Sequence, residues 1–254
     1  MKIDIATPMY GGQCFGEYHE AVMNFYFAAA SRGHLVRSRF TFNESLIQRA
    51  RNVLASEFLM DDQNPDYLLF IDSDIDFDAN KMLDMIEEGK DVIGAITPIK
   101  HIDFVKMHQL STLNKSYDNI ELLGSLYNIN VKDQDAVSND LINNVSFEVD
   151  RIGTGVMAIK RSVLEEMSKK VEEYIDDNNQ TFRVRRWNFF PVTIEYDERW
   201  GGNRMMSEDY NFCNIWRSMG GKVYAKNGVV RGHNGYYKYK GDLGLQMKII
   251  NSAH

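Results

Sequence analysis

The run Phe70-Ile71-Asp72-Ser73-Asp74-Ile75-Asp76-Phe77 places three carboxylates at alternate positions. In extended chain such residues face the same way. Like charges at that spacing repel, and partial burial strengthens the repulsion. A divalent cation with oxygen ligands would resolve the conflict; a solvated acidic turn is the plain alternative. An EF-hand loop starting at Asp72 would need glycine where Phe77 stands and glutamate where Leu83 stands, so that reading fails. An Asp-x-Asp phosphatase usually has Thr or Val two residues after the second Asp, where this chain has Asp76, and usually carries its motif on the first strand.

Other residues add chemistry to this centre. Ser207-Glu208-Asp209 opens a predicted helix, where acids are favoured by the helix dipole by ~0.3–1 kcal/mol in any case. His233 sits in the glycine-rich run Arg231-Gly232-His233-Asn234-Gly235. Arg51, Lys238, Lys240 and, more weakly, Lys100 are cations that could offset charge on a departing phosphate. Gly153 and Gly155 permit close backbone approach to a ligand, or simply a bend before a strand. Arg183, Arg185, Arg186 and Trp187 form a basic and aromatic patch, with the alternation of an exposed edge strand or the makings of a surface for an anionic acceptor.

The elements that must position these residues alternate between strand and helix. A short strand is expected at 3–6, stopped by Pro8, followed by a helix at 17–32 that Gly33 ends. A strand at 35–42 precedes a helix at 45–60 whose apolar face carries Leu46, Ala50, Val53, Leu54 and Phe58. The unbroken apolar run at 67–71 reads as a strand buried on both faces. Asn80 is expected to cap a helix reaching Glu88, and a buried strand follows at 92–96, ended by Pro98. The polar stretch at 103–150 suggests weak strands and loops. A strand at 152–159 then leads to a helix opened by the capping box of Ser162 and Glu165 and running to about Asp176. Ser207 is expected to cap a helix reaching Met219, with a short strand at 223–225 after it. Alternation of this kind predicts an α/β fold with parallel pairing, whose ligand site lies at the carboxyl ends of the strands.

The 254 residues, 44% of them hydrophobic, suffice for one sizeable core. One domain over 1–254 is expected, although two intimately packed halves fit as well. A formal charge of -7 argues against a nucleic-acid binder that works by bulk attraction to phosphates. The two cysteines, Cys14 and Cys213, offer neither metal-ligand spacing nor a disulfide framework, which suits a reducing, cytoplasmic setting. Asp4 and Pro8 interrupt the first segment too soon for a signal-peptide core, and no run approaches the ~20 apolar residues of a membrane span. The expectation is a soluble protein, with peripheral membrane association left open.

Taken in order, these features resemble the GT-A glycosyltransferases, in particular the small bacterial and viral members. The series is Thr7-Pro8 after the first strand, Arg51-Asn52 in a helix, Asp72-Ser73-Asp74, Gly153-Thr154-Gly155, Ser207-Glu208-Asp209 and finally His233. The likeness spans nearly the whole chain apart from 103–150. It implies a Rossmann-like, mixed and mostly parallel sheet flanked by helices. Residues 1–102 would form a nucleotide- and metal-binding half, and residues 151–254 an acceptor and catalytic half. It further implies a nucleotide-diphosphate sugar as donor and Mn²⁺ or Mg²⁺ as cofactor. Asp72 would face the donor ribose and the metal, Asp74 would bind the metal directly, and His233 would complete its shell. Thr7, Pro8 and Tyr10 lie where the family binds the nucleotide base. With Arg51, Asn52, Asp72, Ser73, Lys238 and Lys240 they make up the expected donor site. Asp209, supported by Glu208, would accept the proton of the acceptor hydroxyl, which favours inversion. The acceptor is left open among a glycan, a lipid-linked molecule, a protein and a modified nucleic acid. A sugar nucleotidyltransferase is one alternative, but its usual Arg is missing from the loop after the first strand. A non-catalytic nucleotide-sugar-binding module is the other.

Overall fold

The computed structural model describes residues 1–114, 119–131, 136–176, 183–198 and 201–252. Its centre is a seven-stranded sheet. From one edge the strands are Leu35–Phe42, Lys2–Met9, Tyr67–Ile71, Val156–Lys160, Val92–Ala95, Val223–Lys226 and Phe147–Val149. Five run one way; Val156–Lys160 and Phe147–Val149 run against them. The sheet is therefore mixed and mostly parallel, flanked by helices as expected of the α/β fold, and strands from early and late in the chain share it.

Strand alternation sorts the core into two layers. Ile3, Ile5, Leu69, Ile71 and Ile93 pack on one face under the helices Gly16–Ser31 and Ala79–Glu87. Ala6, Leu68, Phe70, Val92 and Met157 pack on the other, against Ile47–Leu59, Arg161–Met167 and Glu208–Ser218. On that second face Phe190 stacks on Phe212 at 4.7 Å between ring centres and meets Phe70 edge-on at 5.4 Å.

The strands at 35–42 and 67–71 lie where the sequence places them, the latter fully buried. Other expectations need correction. The first strand does not stop at Pro8 but runs to Met9. Its pairing with Tyr67–Ile71 ends at Ala6, so beyond it the chain is bonded only to its outer neighbour, and a residue without an N–H is tolerated. The helix at 79–87 is capped by Asp78, not Asn80: the Asp78 carboxylate accepts from the backbone N–H groups of Asn80 and Lys81. The stretch at 103–150 holds two helices, Phe104–Asn114 and Ser138–Asn143, besides short strands; its residues 115–118 and 132–135 lie outside the described ones. The strand at 152–159 is broken at Gly153–Gly155. The Ser162–Glu165 capping box does not form. That helix starts at Arg161 and ends at Met167, and Glu173–Asp176 is a strand paired with Val184–Trp187. In the basic patch Arg185 is exposed, but Arg186 is buried against Glu57 and Asp176.

Candidate functional site

The parallel strands deliver their carboxyl ends to one edge of the sheet, and the antiparallel strand Val156–Lys160 starts there. Its Val156 pairs with Ile71, which sets the Gly153–Gly155 turn beside the acidic run. The backbone N–H of Asp72 donates to the Gly155 carbonyl at 3.0 Å. A tight turn follows, closed by Ile75 N–H donating to the Asp72 carbonyl at 3.1 Å, and Ile75–Phe77 continues as a short buried strand. Against it, antiparallel, lies Val230–His233, with His233 opposite Ile75. Strand pairing thus carries His233 to Asp74 from more than 150 positions away, and Asn234 N–H donates to the Asp74 carbonyl at 2.7 Å.

At this edge opens a cleft of about 370 Å³, lined by Arg51, Asp72, Lys100, Asn128, Thr154, Asp209 and His233 among others. Arg51 is the hub of its floor. Its guanidinium reaches Asp72 at 3.3 Å, Glu208 at 3.3 Å and the Thr154 carbonyl at 3.2 Å, and lies 5.8 Å from the Phe70 ring centre. Burial pushes the carboxyls of Asp72 and Glu208 up, with Arg51 pulling against it in both.

Asp74 sits differently. Lys100 Nζ lies 2.5 Å from its Oδ2, and His233 Nε2 lies 3.3 Å from its Oδ1. Desolvation alone would raise this carboxyl, but His233 and Lys100 together outweigh it and hold it low. Oδ1 is nevertheless buried without a hydrogen bond. His233 Nδ1 is 2.9 Å from the Pro98 carbonyl. A carbonyl only accepts, so Nδ1 carries a proton, and Nε2 is the ring atom turned to Asp74 Oδ1. A carboxylate oxygen without a hydrogen bond and an imidazole nitrogen 3.3 Å from it are both atoms able to ligate a cation. Among the described residues no group of three His, Cys, Asp or Glu side chains could enclose a metal. One carboxylate and one imidazole could still share an ion with water and substrate phosphates.

Across the cleft stands Asp209, 8% exposed at the start of the helix Glu208–Ser218. Its Oδ1 accepts from the Ser207 hydroxyl and from Tyr210 N–H at 2.8 Å. Its Oδ2 accepts from Asn128 Nδ2 at 3.3 Å, and Tyr210 OH donates to Asn128 Oδ1 at 2.5 Å. A Cβ on Gly153 would lie 2.5 Å from Asn128 Nδ2 and 3.4 Å from Asp209 Oδ2, so only glycine leaves this corner open.

Asp72, Asp74, Arg51, Asp209 and His233 therefore come together. Glu208 adjoins them but turns to Arg51. Ser73 forms the turn between the acids, its carbonyl accepting from Phe15 N–H at 3.0 Å. Tyr10 is 73% exposed just beyond the first strand. Pro8 lies at the same strand end. The Thr7 hydroxyl is buried against Tyr18 OH at 2.7 Å, so Thr7 turns to the helix at 16–31. Asn52 is also drawn elsewhere, donating to Asn188 at 2.9 Å and accepting from Phe190 N–H at 2.8 Å. Lys240 pairs with Glu121 at 2.9 Å, away from the acids. Lys238 pairs with Asp76 at 2.7 Å, its stem packed over Gly232. Asn128 went unnoticed in the sequence: it sits in the polar 103–150 stretch and meets Asp209 across 81 positions, with no local pattern to betray it.

No protein-family model matches the chain, and no curated protein does either. Among solved structures it is similar to the crystal structure of A197 from STIV. The two are 15% identical, with a TM-score of 0.50 over 92% of this chain and 86% of that one. A second similarity is to 4-diphosphocytidyl-2C-methyl-D-erythritol synthase from Anaerococcus prevotii DSM 20548, 12% identical with a TM-score of 0.33, over 99% and 96% of the two chains. The second carries no weight at that score. The first places the chain with a known fold, a mixed α/β sheet flanked by helices.

Proposed function

We propose that the chain is a metal-dependent glycosyltransferase, moving a sugar from a nucleotide-diphosphate donor to an acceptor hydroxyl with inversion. The observation that carries this reading is the buried, unbonded Asp74 Oδ1 facing His233 Nε2, at the edge where such sheets bind ligands. Asp74 and His233 would hold Mn²⁺ or Mg²⁺, with Asp72 at the ribose side. The chemistry that ion supplies when bound is neutralisation of charge on the departing diphosphate.

The remaining work falls to the chain's own groups. Lys100 supplies positive charge at the cleft mouth. Arg51 opposes the desolvation that raises the Asp72 and Glu208 carboxyls, and orients both. Tyr10, exposed beyond the first strand, is available to stack on the nucleotide base. Asp209 is the base. Its Oδ1 is held by Ser207 and Tyr210, which leaves Oδ2, at the Gly153 corner, to accept the acceptor's proton. Asn128 fixes that oxygen. One base on the far wall of the cleft from Asp74 suits direct displacement, and hence inversion.

A panel of nucleotide sugars, screened for thermal stabilisation with and without Mn²⁺ and then for release of free nucleoside diphosphate, tests the reading. Metal-dependent stabilisation with release supports it. Stabilisation indifferent to metal counts against the site, and metal-dependent binding without release would make the chain a binding module.

A further inference from the structure

A second cavity of about 510 Å³ exceeds the cleft itself. It lies among Tyr127, Ile129, the helix Phe104–Asn114, the short helix Ser138–Asn143 and the C-terminal helix Leu243–Ser252. Leu141, Phe147, Leu243 and Met247 give it an apolar wall. Close-packed interiors leave few voids larger than a water molecule, whereas ligand pockets span about 300–1,000 Å³. The single cation among the described residues of its lining is Lys106. The Lys106 amine donates to the Ser125 carbonyl at 3.2 Å and lies 6.0 Å from the Tyr127 ring centre. Among the described residues no carboxylate is within ion-pair distance of it. Burial lowers its proton affinity, against a weaker opposing pull from Asp103. A half-buried ammonium with no carboxylate at ion-pair distance is short of a counter-charge, and an arriving anion supplies one.

We propose that this cavity binds a single-chain aliphatic carboxylate, the chain among the apolar side chains and the carboxylate on the Lys106 amine. One cation with two free N–H groups matches a monoanion; a phosphate dianion calls for more donors than the wall provides. Ile99 lines both this cavity and the cleft, which makes the cavity a neighbour of the proposed donor site and separate from it. The proposal stands whether or not the chain transfers sugars.

Calorimetric titration of the whole chain with hexanoate, octanoate, decanoate and dodecanoate tests it, with dodecanol and dodecylammonium as controls. Affinity is expected to rise by about fourfold per added methylene until the cavity is full. Dodecanoate should bind about ten- to a hundredfold more tightly than dodecanol. Lys106→Met should erase that preference and leave dodecanol binding intact. Leu141→Trp should abolish binding of both by filling the space. If circular dichroism shows Leu141→Trp unfolded, Met247→Trp serves in its place. Absence of saturable binding, dodecylammonium binding as tightly as dodecanoate, or a folded tryptophan variant that binds like the parent would overturn the proposal.

Discussion

Replacing Arg51 by methionine should destabilise the fold, and by more at alkaline than at acid pH. The guanidinium is 5% exposed and stands 3.3 Å from each of two carboxylates, Asp72 at 29% and Glu208 at 13% exposure. Methionine fills much of the same volume and removes only the charge and its donors. Breaking a buried ion pair from one side costs about 3–5 kcal/mol. For a chain of this size that is a Tm loss of about 6–20 °C. The pH dependence follows from the direction of the shifts. Asp72 and Glu208 already have native carboxyls raised by desolvation, with Arg51 opposing. A raised native value gives stability that is full below the unfolded value and lost as pH rises through the native one. Without Arg51 both carboxyls rise further, so more of that loss falls between the ordinary carboxylate range and neutrality. Urea unfolding at about pH 5 and pH 8 should therefore show a larger deficit at pH 8. An equal deficit at both, or a larger one at acid pH, would refute the electrostatic role given to Arg51.

The other expectations concern catalysis and packing. Asp209→Asn should lower kcat by about 10²–10⁴-fold with donor binding unchanged, as measured by turnover and by calorimetry with the donor; near-normal turnover would remove Asp209 as base. Gly153→Ala drives a methyl to 2.5 Å from Asn128 Nδ2, so kcat should fall by about 10–100-fold while the donor KM holds; an unchanged kcat would mean that corner is not where the acceptor reacts. Phe190→Ala, deleting a ring stacked on Phe212 and set edge-on to Phe70, should cost about 3–5 kcal/mol in chemical unfolding; a loss below about 1 kcal/mol would show that the second core layer collapses around the gap.

Where a segment's structure follows from its own residues, the sequence was enough. The apolar run at 67–71 needs a sheet interior wherever it lies, and the acids at its end follow from chain direction alone. The placement of Asp72 and Asp74 at the carboxyl end of a buried strand was thus legible, and Asp209 and His233, singled out by the order of the later motifs, line the same cleft. What escaped depends on distant partners. Glu173–Asp176 resembled the tail of a helix, yet it pairs with Val184–Trp187. The helix Phe104–Asn114 has a weak pattern and gains its order against the C-terminal helix, where Leu110 and Ile249 share a small core. The turn of Asn52 towards Asn188 and Phe190, and of Lys240 towards Glu121, is likewise a matter of tertiary placement. Asp78 overtook Asn80 as helix cap for a local reason: it stands just before the first helical residue, in reach of the free N–H groups.

The most direct measurement is anomalous diffraction at the manganese edge from crystals grown with Mn²⁺ and a nucleoside diphosphate, for the parent chain and for Asp74→Asn. The account predicts one peak within about 2.0–2.3 Å of both Asp74 Oδ1 and His233 Nε2, bridged to the diphosphate and lost in the variant. A peak elsewhere, or nucleotide bound in the cleft with no metal between these two side chains, would contradict it.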